Sequence, residues 1–132
     1  MTAACLPPPL ILVADDSEDI VFVVRHVLEA AGYGVVSAGS VREALDALDE
    51  QPAISLVISD VRMPGEDGFD LLRVLRHRFP ALPVILMTGL PITDEDVVPP
   101  GALVLQKPID LDDLERAVAQ GLAERPVAPG RA

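Results

Sequence analysis

The chain has 132 residues, a length that fits one domain and leaves little room for a second. Its 21 acidic and 10 basic side chains give a formal charge of −11, which argues against contact with nucleic acid or an anionic membrane surface. No apolar run approaches the roughly 18 residues of a membrane span, and the single cysteine, Cys5, fits a reducing compartment, so we expect a cytoplasmic protein.

The first part of the chain predicts a strand and a helix. The apolar run Leu10–Ala14 lacks the polar alternation of a half-exposed strand, which indicates a strand covered on both faces. Apolar residues at helical spacing follow it and predict a helix that ends at Gly32 or Gly34. The inward face of this helix comprises Ile20, Val24, Val27, Leu28 and Ala31. We also expect Phe22 in the core.

Two further apolar runs, Val35–Ala38 and Ile54–Ser59, predict the next two strands. Between them, the sequence Ser40-Val41-Arg42-Glu43 is typical of a capping box, in which the serine and glutamate side chains accept hydrogen bonds from backbone N–H groups at a helix start. The helical spacing predicts that Leu45 and Leu48 face inward.

The third helix is predicted by an apolar stripe that Pro80 terminates. The stripe comprises Phe69, Leu72, Leu75 and Phe79. A basic cluster lies on the same segment, and we expect it to form a solvated face: Arg73, Arg76 and Arg78. The run Val84–Met87 then predicts the fourth strand.

The connection after the fourth strand is unusual. Thr93–Val98 supplies only about a turn and a half of helix before Pro99-Pro100, so we expect a shortened or irregular fourth helix. Ala102–Leu105 predicts the fifth strand, and Asp110 is placed to cap the last helix. The inward stripe of that helix comprises Leu111, Leu114, Val118 and Leu122.

Strands that alternate with helices predict an α/β fold in which right-handed crossovers wind a parallel sheet. Five strands and five helices fit a doubly wound, flavodoxin-like sheet of strand order 2-1-3-4-5. We expect this domain to span residues 9–124, between a flexible leader at residues 1–8 and a flexible tail at residues 125–132.

Polar side chains stand where four of the predicted strands end. Asp15 and Asp16 follow the first strand, Asp60 ends the third, Thr88 the fourth and Lys107 the fifth. Because parallel strands bring their carboxyl ends to one edge of a sheet, these groups should converge. Clustered carboxylates repel one another, and Mg²⁺ suits them because it binds carboxylate oxygens while keeping waters that a phosphate can replace.

These groups favour phosphoryl chemistry. One carboxylate could attack phosphorus to form an aspartyl phosphate, while Mg²⁺, a lysine and a hydroxyl neutralise the transferred oxygens. Lys107 is the only lysine in a chain that otherwise uses arginine, so its compact charge suggests a specific role. Considered alone, however, the acidic loop has a simpler interpretation, in which Asp16 or Ser17 only caps the first helix.

Four motifs carry a family resemblance. They are Asp15-Asp16, the stretch Asp60-Val-Arg-Met-Pro-Gly-Glu-Asp-Gly, Thr88-Gly89 and Lys107-Pro108. With these motifs in this order, the chain resembles a response-regulator receiver domain of two-component signalling over roughly residues 9–124. The resemblance implies that Asp60 is the phosphoacceptor and that Asp15 and Asp16 hold Mg²⁺, with Asp16 as the direct ligand. Asp60 and the backbone carbonyl of Arg62 would complete the metal site.

The resemblance also implies roles at the fourth and fifth strand ends. Thr88 matches the hydroxyl that moves toward the phosphoryl group, and Lys107 matches the lysine that pairs with that group. The bond between Lys107 and Pro108 is expected to be cis. The family usually carries Tyr or Phe where this chain has Val104, so the chain departs from the pattern that couples the threonine to an aromatic ring.

Partners follow from the same resemblance. A sensor histidine kinase or a histidine phosphotransfer protein would donate the phosphoryl group, and phosphorylation would switch a surface that contacts a downstream protein. We expect no direct contact with nucleic acid or membrane, and a homodimer could form through the fourth helix, fifth strand and fifth helix. Apart from its own phosphotransfer and dephosphorylation, the domain is not expected to be an enzyme.

Other functions fit fewer of the residues. A hydrolase of the haloacid dehalogenase type would also use Asp60 as nucleophile, but it would carry a second Asp at the position of Arg62. The acidic loop after the first strand does not suit the phosphate of a flavin. The main alternative is a degenerate receiver that binds partners independently of phosphorylation.

Overall fold

The computed structural model describes residues 9–63, 66–89 and 102–124. The elements are β1 (Leu10–Ala14), α1 (Glu18–Ala30), β2 (Gly34–Ala38), α2 (Val41–Glu50), β3 (Ile54–Asp60), β4 (Arg62–Met63), β5 (Glu66–Asp67), α3 (Gly68–Arg78), β6 (Val84–Thr88), β7 (Ala102–Gln106) and α4 (Leu111–Glu124). The predicted leader, the predicted tail and the predicted helix at Thr93–Val98 lie outside the described residues. No helix in the described ranges is both long and apolar enough to cross a membrane.

Five strands form one parallel sheet in the order β2-β1-β3-β6-β7. If only these five are counted, the order is 2-1-3-4-5, which confirms the predicted flavodoxin-like fold. Each predicted strand agrees with the structure to within one residue at either end. β4 and β5 form a separate antiparallel pair, in which Arg62 lies opposite Asp67. The sequence pattern did not predict that pair.

The sheet separates two apolar clusters, and the alternation of side chains along each strand decides which cluster a residue joins. The cluster under α2 and α3 includes Leu12, Val57 and Leu86. The cluster under α1 and α4 includes Ile11, Ile58 and Ile85. Coverage of both faces is why the central strands are largely apolar and do not alternate with polar residues. It also leaves the carboxyl edge of the sheet as the place where polar side chains collect.

The ends of the helices are largely capped as predicted. The Ser40 hydroxyl accepts a hydrogen bond from the N–H of Glu43 at 3.1 Å, and the Glu43 carboxylate accepts one from the N–H of Gly39 at 3.1 Å. Asp110 caps α4 by accepting from the two backbone N–H groups of the first turn, at 2.9 and 3.1 Å. Gly32 follows α1 with a φ of 99°, a conformation that favours glycine.

Among the predicted core residues whose side chains the structure describes, three are exposed, while the side chain of Phe69 lies outside that description. Phe22 is 71% exposed, because it lies on the face of α1 opposite the buried Val24 and Leu28. Leu111, the first residue of α4, is 40% exposed. Ala31 is exposed as well, since it forms the C-cap of α1 instead of its inward face. These positions show that the apolar stripes of α1 and α4 are narrower than predicted.

Arg76 is a further correction, because it does not belong to a solvated basic face. Its side chain is half-buried, and its Nη1 donates to the carbonyl oxygens of Pro80 at 3.2 Å and Leu82 at 2.9 Å. The guanidinium therefore closes the turn between α3 and β6. Arg73 and Arg78 are exposed, as predicted.

Gly121 packs directly on the sheet, where a Cβ atom would lie 2.9 Å from Cδ1 of the fully buried Leu56. We expect Gly121→Ala to lower the free energy of unfolding by about 1 kcal/mol, because overpacking by ~1–3 kcal/mol outweighs a gain of ~1 kcal/mol in helix propensity. Urea unfolding measures this difference. Ala119→Gly, on an exposed position of α4, measures the propensity effect alone. A Gly121→Ala variant more stable than the wild type would contradict the prediction.

Candidate functional site

The carboxyl edge of the sheet gathers the predicted residues. Asp15 directly follows β1, Asp60 ends β3, Thr88 ends β6 and Lys107 directly follows β7. Asp15, Asp60 and Thr88 are buried, with exposures of 2%, 7% and 3%. Among the described side chains, the one other buried polar residue is Ser59, which precedes Asp60 and was not predicted. The convergence that the parallel topology predicted is therefore present.

Three carboxylates form an acidic cluster at this edge. Asp15, Asp16 and Asp60 each offer an oxygen, and these oxygens all lie within 4.8 Å of one another. Asp15 and Asp60 are buried, whereas Asp16 is exposed. Two shielded oxygens and one open to solvent fit a hard divalent cation such as Mg²⁺, which prefers oxygen ligands and keeps part of its water shell.

Ser17, and not Asp16, caps the helix that follows this loop. The Ser17 side chain accepts from the N–H of Ile20 at 3.4 Å. Its own N–H donates to Oδ1 of Asp15 at 2.8 Å, which holds the Asp15 carboxylate in place. Asp16 is consequently not needed as the cap, so the simpler interpretation of the acidic loop does not account for it.

Lys107 lies between two of the carboxylates. Its Nζ is 3.2 Å from Oδ2 of Asp60 and 3.4 Å from Oδ2 of Asp15. Its backbone N–H donates to the carbonyl oxygen of Thr88 at 2.6 Å, which joins the ends of β6 and β7. The peptide bond to Pro108 is cis, as the resemblance implied. The two carboxylate contacts place the ammonium group against the acidic cluster.

Burial and charge together shift the pKa values in the site. Burial is the main reason that the pKa of Asp15 is raised; the Asp60 charge adds to this, while the Ser17 N–H and Lys107 act in the opposite direction. Burial alone would lower the pKa of Lys107, but the carboxylates of Asp15 and Asp60 raise it above its ordinary value. The carboxyl group of Asp15 is therefore harder to ionise than usual, and the neighbouring Lys107 holds its proton more tightly than usual.

The other predicted positions are placed, while their roles stay predictions. The backbone of Arg62 begins β4, two residues after Asp60, in register with Asp67. Thr88 is buried at the end of β6, in register with Gln106. Val104 is half-buried on β7 and packs against the cluster under α2 and α3.

Comparison with known proteins identifies relatives of the whole domain. The chain matches the family model described as "Response regulator receiver domain" over residues 11–119. It is 37% identical over 116 residues to the transcriptional regulatory protein ZraR of Escherichia coli (strain K12), a match covering 86% of this chain and 26% of that protein. It is 36% identical over 114 residues to the DNA-binding transcriptional regulator NtrC of Klebsiella pneumoniae, covering 84% and 24%. The chain thus spans about a quarter of the length of these relatives.

A solved structure agrees with the sequence relatives. The crystal structure of a response regulator receiver domain protein from Clostridium thermocellum is similar with a TM-score of 0.80 at 33% identity, covering 87% of this chain and 94% of that one. The family match includes every strand end that contributes to the acidic cluster and its lysine. The chain therefore belongs to the response regulator receiver domains of two-component systems.

Proposed function

We propose that this domain is a phosphorylatable switch, in which Asp60 accepts a phosphoryl group from a phosphohistidine. The donor would be a sensor histidine kinase or a histidine phosphotransfer protein, and the phosphorylated domain would contact a downstream protein differently. Receiver domains interact with histidine kinases and effectors as a family. The observation that carries the proposal is the contact of Lys107 with Asp60 beside the acidic cluster.

Asp60 is the carboxylate best placed to act as the nucleophile. It is buried at the end of the central strand, lies 3.2 Å from the Lys107 ammonium and matches the position of the phosphoacceptor in the family resemblance. In the transfer, an Asp60 oxygen bonds to phosphorus while the P–N bond to the donor imidazole breaks, and the released imidazole nitrogen takes up a proton. Lys107 binds the transferred oxygens and offsets their charge.

Mg²⁺ is the cofactor that fits the oxygen ligands of the site. The family generally binds this ion at an acidic pocket, and here Asp15, Asp16, Asp60 and the Arg62 carbonyl would hold it. When bound, the ion supplies positive charge against the carboxylates and phosphoryl oxygens. Asp16 suits direct binding because it is exposed, and the Ser17 N–H holds Asp15 in position behind it.

Output through protein contact suits this chain better than turnover of a substrate or DNA binding. ZraR is a transcriptional regulatory protein and NtrC is a DNA-binding transcriptional regulator, but the formal charge of −11 does not suit direct contact between this domain and DNA. We propose a cytoplasmic domain whose chemistry ends with formation and hydrolysis of its own aspartyl phosphate.

The intact group of site residues does not favour the degenerate receiver. A homodimer through β7, α4 and the preceding connection stays a prediction.

Intact-protein mass after incubation with acetyl phosphate tests the proposal. The wild type should gain one phosphoryl group when Mg²⁺ is present and none in EDTA, and Asp60→Asn should gain none under either condition. Asp46→Asn, an exposed change on α2, should react like the wild type. A folded wild-type protein that binds Mg²⁺ but gains no phosphoryl group would refute the proposal and favour a module that acts without phosphorylation.

A further inference from the structure

Ser59 is a buried polar side chain to which the proposed chemistry gives no role. It is 0% exposed, and its neighbours two residues away, Val57 on β3 and Val61 just after β3, belong to the apolar cluster under α2 and α3. Its neighbours in register are Ala14 on β1 and Leu86 on β6. Burying a hydroxyl among aliphatic groups costs free energy unless it is hydrogen-bonded. Alanine would satisfy this core equally well, so the hydroxyl needs another explanation.

The Ser59 hydroxyl bonds to the peptide group that follows Asp60. Its Oγ donates to the carbonyl oxygen of Asp60 at 3.0 Å. The N–H of the same peptide group, which belongs to Val61, donates to the carbonyl oxygen of Met87 at 2.9 Å. One peptide plane is thus held at both of its polar atoms, directly beside the carboxylate that faces Lys107.

This hydrogen bond lies at the point where the pairing of β3 with β1 ends. The pairing of β1 with β3 ends at Ala14 and Ser59, so Asp60 lies one residue beyond the last pair on that side. The peptide planes beside Asp60 determine the direction of its Cα–Cβ bond, and hence the distance from its carboxylate to the Lys107 ammonium. The Ser59 hydroxyl adds a restraint at this point, on the peptide group next to Asp60.

We propose that Ser59 is a positioning residue for the phosphoacceptor. Its hydroxyl fixes the Asp60–Val61 peptide group, so that the Asp60 carboxylate stays aligned with Lys107 and the acidic cluster. This inference rests on the proposed role of Asp60 as the phosphoacceptor. It predicts a separation of stability from reactivity, because the hydroxyl serves alignment and not the packing of the core.

Ser59→Ala tests the proposal through the rate of phosphorylation by acetyl phosphate at saturating Mg²⁺. We expect a loss of about tenfold, since a misplacement of ~1 Å can cost up to ~10²-fold, with an unchanged or higher melting temperature. Ser59→Thr should restore the rate, and Ser59→Cys serves if the extra methyl group prevents folding. Ser55→Ala is the matched control, because it removes a hydroxyl-to-carbonyl bond (Ser55 to Ala53, 3.1 Å) at the other end of β3.

Hydrogen exchange of the Val61 amide gives a second readout that needs neither phosphoryl donor nor metal. Exchange should be faster in Ser59→Ala than in the wild type and should return to the wild-type rate in the rescuing variant. A rate of phosphorylation within about twofold of the wild type, or a slow rate that follows a lower melting temperature without rescue, would overturn the proposal. If the wild type itself gains no phosphoryl group, the proposed function fails, and unchanged Val61 exchange would separately overturn the role of Ser59.

Discussion

Lys107→Gln should slow phosphorylation of Asp60 by about 10²- to 10³-fold, which is the loss typical of removing one donor to a developing oxyanion. The ammonium lies 3.2 Å from Asp60 and 3.4 Å from Asp15, so under the proposed function it would supply positive charge beside the oxygens of the incoming phosphoryl group. Glutamine keeps a polar side chain of similar length but cannot supply that charge. Initial rates with acetyl phosphate at fixed Mg²⁺, followed by intact mass, measure the effect.

Lys107→Arg distinguishes the effect of the positive charge at this position from the effect of the compact shape of the ammonium group. Arginine keeps the charge but spreads it over a planar group, so an intermediate rate is expected.

Because the pKa of Lys107 is raised, its stabilising charge is fully present below the ordinary lysine value and is lost only as pH rises through the higher folded pKa. The defect of Lys107→Gln should therefore be constant across neutral pH. A glutamine variant with the wild-type rate would contradict this role.

Asp15→Asn should raise the melting temperature of the metal-free protein at neutral pH and weaken its response to Mg²⁺. Burial is the main reason that the pKa of Asp15 is raised, so the ionised carboxylate destabilises the folded state. A carboxyl whose folded pKa exceeds its unfolded pKa binds more protons when folded. Its cost is thus absent at low pH and complete above the folded pKa. Asparagine retains an acceptor for the Ser17 N–H but cannot ionise.

Thermal unfolding in EDTA and in Mg²⁺, from acidic to neutral pH, measures both parts of this prediction. In EDTA, the melting temperatures of wild type and Asp15→Asn should converge as pH falls. Mg²⁺ should raise the melting temperature of the wild type at neutral pH, since a ligand that binds the folded state stabilises it by mass action. Asp46→Asn should keep the full Mg²⁺ response. A less stable Asp15→Asn variant at neutral pH would contradict the prediction.

The sheet was predictable because both of its faces are covered. A strand that is covered on both faces gives a run of apolar residues, as at Leu10–Ala14. The ends of such runs marked the ends of the strands to within one residue. Convergence of the strand ends then followed from parallel topology, which brought Asp60 and Lys107 together across 47 residues of chain. The antiparallel pair of β4 and β5 was not predictable in the same way, because two residues per strand leave no recognisable pattern.

Single side chains were harder to predict, because composition and periodicity can disagree. Phe22 is apolar, but the spacing of Val24 and Leu28 already placed it on the outer face of α1, and the spacing was the better guide. Arg76 is charged but binds carbonyl groups of a turn whose backbone path no local pattern indicates. Ser59 carried one available signal, which is a polar residue after the apolar run Leu56–Ile58 and directly before Asp60.

The placement of Lys107 has a consequence for covalent modification. Most proteins carry many lysines on their surface, so acetylation or an amine-reactive label changes them in scattered places. Here the only lysine side chain is the ammonium held between Asp15 and Asp60. Neutralising it by acetylation would remove the charge from the site itself. Under the proposed function, acetylating Lys107 would also disable the switch, and a sample carrying isotopically labelled lysine would report on that site alone.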